Sequence, residues 1–134
     1  MKNTETRTID GVQFRVTQLG FSASRKALLR LSKSIGPALA EVLEAAESTK
    51  DVALAPALGR LVESVNEEDL DFFSQVFGES TSYSEDGERW PLLRKENQEI
   101  LFTGRMLTFF KWLGFCIEVN YADFFDAYRK GGAG

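Results

Sequence analysis

The sequence predicts a mostly α-helical fold with a small N-terminal β-hairpin (α+β), arranged as a single helical domain around a buried C-terminal helix. Apolar residues recur at helical spacing through most of the chain, whereas alternation of apolar and polar residues is confined to its N-terminal end. Large aromatic residues concentrate between Phe102 and Phe125, so this stretch is predicted to form the centre of the core. A chain of 134 residues is typical of one domain and can bury a sizeable core.

The N-terminal element is a predicted β-hairpin around the pair Asp10-Gly11. After this pair, the apolar residues Val12, Phe14 and Val16 alternate with polar ones, which is the pattern of a strand with one buried face. An Asp-Gly pair favours a two-residue turn because both turn positions need positive φ angles. Since a lone hairpin is barely stable in water, it is predicted to pack on helices or to pair with further strands.

Four helices are predicted next, from the positions of caps, breakers and repeating apolar residues. The first runs from Ser22 to Ile35 and ends at Gly36-Pro37, where the second begins. The third starts near Ala55. The fourth follows Asn66, a predicted N-cap, and ends at Gly78; the acidic residues after Asn66 favour the positive end of a helix.

The segment from Gly78 to Pro91 is rich in Ser, Thr, Gly and acidic residues. Its composition predicts either a long loop or a second hairpin, and it is the best candidate for a mobile segment. The stretch from Leu92 to Leu101 then leads into the C-terminal helix. The sequence leaves open whether Gly104 interrupts a continuous helix that begins near Arg94.

The C-terminal helix is predicted to be buried on most of its circumference. On a helical projection, the residues Thr108, Lys111, Gly114 and Glu118 fall in one narrow polar stripe, and the remaining positions from Met106 to Val119 are apolar. The apolar run is shorter than the roughly 20 residues that a membrane span needs, and it contains a lysine. It is therefore predicted to be the central helix of a soluble domain.

The end of this helix is predicted from local signals. Asn120 is expected to act as a C-terminal cap, and a separate short helix is expected from Asp123 to Arg129. Residues 1–130 are predicted to form the single domain, and the glycine-rich residues 131–134 are predicted to be a disordered tail.

The composition argues against an enzyme. The chain has no histidine, which removes the commonest general base and the commonest metal ligand, and its single cysteine, Cys116, lies in the apolar part of the C-terminal helix. No glycine spacing indicates a phosphate-binding loop. The acidic residues at the start of the fourth helix are explained by the helix dipole; they are Glu67, Glu68, Asp69 and Asp71. We therefore expect no catalytic residue, no metal and no cofactor.

Charge is distributed unevenly along the chain. Residues 1–40 hold seven basic and two acidic side chains, residues 41–90 hold three and thirteen, and the remainder holds six and five. This asymmetry predicts either a solvated acidic face or attraction between the two parts, within one molecule or between copies in a homo-oligomer. The basic residues of the first helix lack an aromatic platform, so nucleic acid is not a favoured partner; they are Arg25, Lys26, Arg30 and Lys33.

Several large apolar residues are candidates for binding a protein partner. Phe72 and Phe73 are adjacent on a helix and cannot both face one core, while Tyr83 and Trp90 lie in a polar segment. The alternative is that they form a second layer of core beneath the loop. The predicted partner-binding residues, which include a groove on the third and fourth helices, are Leu58, Leu61, Val62, Val65, Phe73, Tyr83 and Trp90.

Four stretches together resemble a known family. They are the hairpin Ile-Asp-Gly-Val-Gln-Phe-Arg-Val-Thr-Gln-Leu, the helix ending Ile-Gly-Pro-Ala-Leu, the sequence Phe-Thr-Gly-Arg, and Lys-Trp-Leu followed by Glu-Val-Asn-Tyr-Ala-Asp-Phe-Phe. Between Ile9 and Phe125 the chain resembles the phage tail assembly chaperones of tailed bacteriophages and prophages. The motif residues are expected to lie mainly in the core; they are Phe102, Gly104, Arg105, Trp112, Asn120, Asp123, Phe124 and Phe125.

The resemblance implies a non-enzymatic chaperone that binds the tape measure protein, keeps it soluble during tail assembly and is absent from the finished virion. A frameshift-extended form would add the tail tube protein as a second partner. The alternative is a small structural tail or head-tail completion protein of the virion. The N-terminal residues show no secretory signal pattern, so we expect the protein to act in the host bacterial cytoplasm, without a membrane partner.

Overall fold

A computed structural model of the chain describes residues 3–33 and 65–133, with side chains as far as residue 123. The elements in these ranges are, in chain order, β1 (Thr4–Ile9), β2 (Val12–Thr17), α1 (residues 21–33), α2 (Glu67–Glu79), β3 (Thr81–Ser84), α3 (Lys95–Phe102) and α4 (Met106–Ala133). The predicted α+β class, mostly helical with an N-terminal hairpin, is confirmed. The helices predicted from Pro37 and from Ala55 lie outside the described residues.

The hairpin forms as its turn residues predict. Asp10 and Gly11 have φ angles of 50° and 85°, which are the positive values that a two-residue turn requires, and Ile9 pairs with Val12 across the turn. Its apolar face is buried, because Val12, Phe14 and Val16 expose at most 2% of their surface. The hairpin is therefore packed against other elements, as predicted.

A third strand comes from the segment predicted as a loop or a second hairpin. β3 pairs antiparallel with β2, so the sheet order is β1-β2-β3. After β3 the chain folds back, and a bridge joins Ser82 to Leu92 while the Leu93 amide donates to the Thr81 carbonyl at 2.9 Å. The second-hairpin alternative is thus close to what forms, and the segment also supplies an edge of the main sheet.

One apolar core joins the sheet to α4. The apolar face of the hairpin packs against α4, and α2 and α3 close the remaining sides. Trp112 lies at the centre with no accessible surface, and its indole nitrogen donates to Thr81 Oγ1 at 3.3 Å, which satisfies a buried polar pair. Burying a large apolar side chain stabilises the fold by about 1.5–3 kcal/mol. The aromatic cluster of the C-terminal helix therefore organises the molecule, as predicted.

The helix α2 begins as predicted. The Asn66 side chain accepts a hydrogen bond from the Asp69 amide at 2.8 Å, which is an N-cap contact. Phe73 and Phe77 face the core, and the helix ends at Glu79, one residue after the predicted Gly78.

The α3–α4 connection answers the question left open at Gly104. α3 ends at Phe102, Gly104 takes a φ of 77°, and α4 starts at Met106. A residue in this left-handed conformation cannot continue a right-handed helix, and glycine adopts it without steric cost. Gly104 therefore separates two helices.

The predicted end of the C-terminal helix is wrong. α4 continues through Asn120 to Ala133, so Asn120 is not a cap, and no break separates a short helix from Asp123 to Arg129. The Asn120 side chain is satisfied inside the helix, because its nitrogen donates to the Cys116 carbonyl and its oxygen accepts from the Leu19 amide, both at 2.8 Å. The helical backbone also extends over most of the tail that the composition predicts to be disordered.

The polar stripe of α4 faces the hairpin. Thr108 Oγ1 donates to Asp10 Oδ2 at 2.7 Å, Lys111 Nζ lies 3.2 Å from Asp10 Oδ1, and Glu118 pairs with Arg7 at 3.0 Å. Arg7 also lies over the ring of Phe115, 4.3 Å from its centroid. The stripe therefore joins α4 to the β1 side of the sheet through polar contacts.

Candidate partner-binding surfaces

Three large apolar side chains are exposed where α3 meets α4. Ile100, Met106 and Leu107 expose 79%, 57% and 50% of their surface, and we call them the apolar corner. Charged residues of both signs are exposed nearby in the sequence, with Glu99 preceding the corner and Arg105 within it. The apolar corner contradicts the prediction that Met106 and Leu107 belong to the buried circumference of the helix.

The apolar corner is exposed because of helical geometry. Ile100, Leu101 and Phe102 are consecutive on α3, and residues 100° apart cannot all face one core. Leu101 and Phe102 are buried, and the Phe102 ring lies 5.7 Å from that of Trp112, so Ile100 is left outside. This adjacency of three apolar residues on a helix is the signal by which the sequence could have revealed the exposed position.

At the start of α4, Met106 and Leu107 precede the first buried turn, whose Phe109 ring lies 5.3 Å from that of Phe102. The core is thus complete without the side chains of the apolar corner. Large apolar side chains that are exposed close together in the sequence are candidates for a protein contact.

A concave feature lies between α1 and α4; this α1–α4 cleft has a volume of about 330 Å³. Its walls are tied together by hydrogen bonds, since Gln18 Nε2 donates to the Val119 carbonyl at 3.0 Å and Tyr121 Oη donates to the Ser24 carbonyl at 2.7 Å. Burial raises the pKa of Tyr121, so the phenol stays protonated and keeps donating. The Tyr121 bond fixes α1 against α4, and the Gln18 bond fixes the segment before α1 to the same helix.

The exposed side of α1 carries apolar and basic residues in alternation. Phe21, Arg25, Leu29 and Lys33 recur at four-residue spacing and are all exposed, with Phe21 at 77% and Leu29 at 58%. Arg30 is instead engaged within the molecule, because it pairs with Asp69 at 3.0 Å and lies over the Phe72 ring at 4.3 Å. The predicted basic face is therefore divided between internal contacts and open surface.

Four of the seven predicted partner-binding residues lie in the described ranges, and these four are buried or half-buried. Phe73 has no accessible surface and Tyr83 exposes 9%, so both belong to the core, as the alternative of a second core layer supposed. Val65 is half-buried against that core. Trp90 is half-buried with the Arg15 guanidinium 3.9 Å from its ring centroid. The remaining three residues, Leu58, Leu61 and Val62, lie outside the described residues.

The motif residues expected in the core divide between core and surface. Phe102 and Trp112 are buried, whereas Gly104 and Arg105 are exposed in the connection before α4. Asn120 is half-buried, as its contacts to the chain require, and Asp123 is exposed on the helix. The backbone of Phe124 and Phe125 is helical, and their side chains lie beyond residue 123, the last whose side chain is described.

The single cysteine of the chain lies in the core. Cys116 is fully buried and burial raises the pKa of its thiol well above the usual range, which suppresses the reactive thiolate. Within residues 3–33 and 65–133, no group of three or more potential metal-ligating side chains is found. In the same ranges, no helix is long and apolar enough to cross a membrane.

The chain was compared with known proteins. Residues 10–134 match the model of the family described as "Phage tail assembly chaperone protein, TAC". No match was found among curated proteins or among solved structures. The matched range includes β2, the apolar corner and all of α4, and it agrees with the resemblance carried by the sequence motifs. The chain therefore belongs to the phage tail assembly chaperone family.

Proposed function

We propose that this tail assembly chaperone binds the tape measure protein and keeps it soluble in the host cytoplasm, without catalysing a reaction. The observation that carries the proposal is the apolar corner, formed by Ile100, Met106 and Leu107 on a member of this family. These side chains contribute little to the core of the chaperone itself. They are therefore available to cover apolar surface on an unassembled partner.

The chemistry of the apolar corner suits an amphipathic helical segment of the partner. Met106 is unbranched and flexible, so it can adapt to side chains of different shape, and Ile100 and Leu107 add further exposed apolar area. The exposed Glu99 and Arg105 can pair with charges of either sign at the rim of a bound helix. A contact of this kind is suited to a protein that must hold successive segments and later release them.

Co-expression tests the proposal directly. The full chain is produced together with the tape measure protein of the same phage, and the soluble fraction of the tape measure protein is measured. The wild-type chaperone should raise that fraction several-fold. The double variant Ile100→Ser with Leu107→Ser should lose most of the effect while keeping its circular dichroism spectrum, because both side chains are exposed.

A matched control removes a similar amount of exposed apolar surface from another element. Phe21→Ser with Leu29→Ser alters the exposed side of α1 and should leave the solubilising effect largely intact. No increase with the wild-type chain would refute binding of the tape measure protein. Equal losses in the two double variants would refute the apolar corner as the binding surface.

A further inference from the structure

Among the described residues, no strand pairs with the outer edge of β1. Within the described parts of the chain, β1 pairs with β2 alone, and its first five residues, 4–8, are exposed. The strand Thr-Glu-Thr-Arg-Thr-Ile contains no proline, bulge or lysine, and its two charged residues, Glu5 and Arg7, disfavour pairing with any strand that does not complement their charges. Its edge is therefore competent to pair with another strand.

The hydrogen-bonding pattern of the hairpin determines which residues of β1 have backbone N–H and C=O groups that point to the open edge. The Gln18 amide donates to the Asn3 carbonyl at 2.9 Å. The backbone N–H and C=O groups of Asn3, and of every second residue after it, therefore point towards β2. The backbone groups of Thr4, Thr6 and Thr8 consequently point away from β2. An added antiparallel strand must match these three positions with outward-pointing positions of its own.

The side chains of β1 are self-complementary in one such register. When two copies of β1 pair antiparallel about Thr6, Thr6 meets its own counterpart and Glu5 of each copy lies opposite Arg7 of the other. A shift by two residues in one direction places Glu5 opposite Glu5, and a shift in the other direction places Arg7 opposite Arg7. A shift by one residue places outward-pointing backbone groups of one strand opposite inward-pointing groups of the other, so the hydrogen bonds cannot form. Charge and hydrogen bonding thus select the same register.

We infer that β1 forms an antiparallel pair with β1 of a second copy of this chain, centred on Thr6, so that two three-stranded sheets join into one across a two-fold axis. The interface is isologous, because each copy contributes the same strand. Arg7 already contacts Glu118 on the inner side of the sheet, and Glu5 of the second copy extends this contact into a three-membered ion network. This inference does not rest on the proposed function.

The packing of α4 leaves room for the joined sheet. α4 packs on both β1 and β2, so in the dimer the two copies of α4 lie on adjoining halves of the same sheet face. The axes of the two α4 helices are then separated by two strand spacings, which is about 9.6 Å. Packed helices lie about 8–10 Å apart, so the two copies of α4 can run side by side without displacing the strands.

A cysteine placed on the two-fold axis tests the register. In the register centred on Thr6, the two Thr6 Cα atoms are about 5.5 Å apart, which is within the range of a disulfide. Thr6→Cys in the full chain should therefore cross-link to a covalent dimer under mild oxidation. Thr8→Cys is the matched control, because in this register its two copies are about 14 Å apart. The native Cys116 is buried and contributes little background.

Light scattering on the intact protein measures the association itself. The wild-type chain should show a mass that rises with concentration from 15.0 kDa towards twice that value. Glu5→Arg places like charges opposite each other twice and should weaken the dimer about tenfold. Arg7→Glu combined with Glu118→Arg keeps the ion pair inside each molecule and should weaken the dimer similarly. Mixing these two variants should restore dimers, since every cross-strand pair then has opposite charges.

Three results would overturn the inference. The first is a wild-type mass that stays monomeric at every concentration up to the solubility limit. The second is disulfide formation by Thr6→Cys that is no faster than that by Thr8→Cys. The third is a mixture of the two charge variants that associates no better than either variant alone. A circular dichroism spectrum and a melting curve for each variant confirm that the variants remain folded.

Discussion

Asp10 contributes both to the turn of the hairpin and to its attachment to α4. Its φ of 50° belongs to the turn, while its carboxylate accepts from Thr108 Oγ1 and pairs with Lys111. The hydrogen bond from Thr108 lowers the pKa of Asp10 most, Lys111 and Arg105 lower it further, and partial burial opposes them. One residue thereby sets both the local chain reversal and the position of the hairpin on the central helix.

Replacing the carboxylate while keeping the turn separates these two contributions. Asp10→Asn retains a residue that favours positive φ before glycine, so the turn should persist. We expect a loss of at most about 1 kcal/mol in the free energy of unfolding near neutral pH, since the ion pair is partly exposed. Urea titration measures this loss.

The same substitution should change how stability depends on pH. Because the pKa of Asp10 is lowered by folding, its contribution is fully present above the pKa of the unfolded chain. It is lost as the pH falls through the lowered folded-state pKa. The difference in unfolding free energy between wild type and Asp10→Asn should therefore shrink in acid. A difference that grows in acid would contradict the sign of the shift.

Gly78 is required by close packing near the end of α2. A methyl group at this position would overlap the Leu93 carbonyl oxygen and the Gln98 side-chain nitrogen, which donates to that same carbonyl. Alanine normally stabilises a helix interior by about 1 kcal/mol relative to glycine. Here the overlap with backbone should reverse the sign, so Gly78→Ala should destabilise the fold by about 1–3 kcal/mol.

Thermal or urea unfolding of Gly78→Ala measures the effect, with Glu79→Ala as the neighbouring control. Glu79 is exposed, so its replacement should change the unfolding free energy by less than about 0.5 kcal/mol. If Gly78→Ala proved more stable than the wild type, the close approach of the segment around Leu93 to α2 would be wrong.

At the scale of elements, α4 is held by a polar contact of Asn120, the residue that the sequence predicts to be its C-terminal cap. Asparagine is common at helix ends because its side chain competes for backbone hydrogen bonds. Asn120 does so while remaining inside the helix, because the segment that follows β2 brings the Leu19 amide within 2.8 Å of the Asn120 side-chain oxygen. The contact is nonlocal, which explains why the residues around Asn120 suggest a helix end that does not exist.

Removing this side chain tests its importance. Asn120→Ala leaves the Leu19 amide without its acceptor, and an unsatisfied, partly buried amide costs about 1–3 kcal/mol. Urea unfolding should show this loss, and hydrogen exchange at Leu19 should accelerate. Asp123→Ala, on the exposed side of the same helix, should stay within about 0.5 kcal/mol of the wild type. Similar losses in both variants would contradict a specific role of Asn120.

The elements that the sequence predicts well are those encoded locally. The Asp10-Gly11 turn and the Asn66 cap depend on a few adjacent residues, and both form as predicted. β3 is different, because Thr-Ser-Tyr-Ser has little apolar alternation and becomes a strand through pairing with β2 far away in the chain. The apolar corner was missed because a core residue and an exposed one look alike in sequence when both are apolar.

The whole molecule combines the apolar corner with the β1 edge. The contact between Asp10 and Thr108 places the start of α4 at the turn end of the hairpin. A two-fold axis through Thr6 sends the two hairpin turns to opposite ends of the joined sheet, and the two apolar corners go with them. This dimer presents two separated binding surfaces, an arrangement that favours a long partner through increased effective concentration.

The finished phage tail should lack this chain. The apolar corner consists of three side chains, whereas a permanent interface buries about 1,200–2,000 Å² or more, so the contact with a partner suits release during assembly. Quantitative mass spectrometry of purified particles and of the infected-cell lysate should find the chain in the lysate and strongly depleted from particles, relative to the tail tube and tape measure proteins. A constant ratio to those proteins in both samples would contradict release and would favour the alternative of a small structural tail or head-tail completion protein.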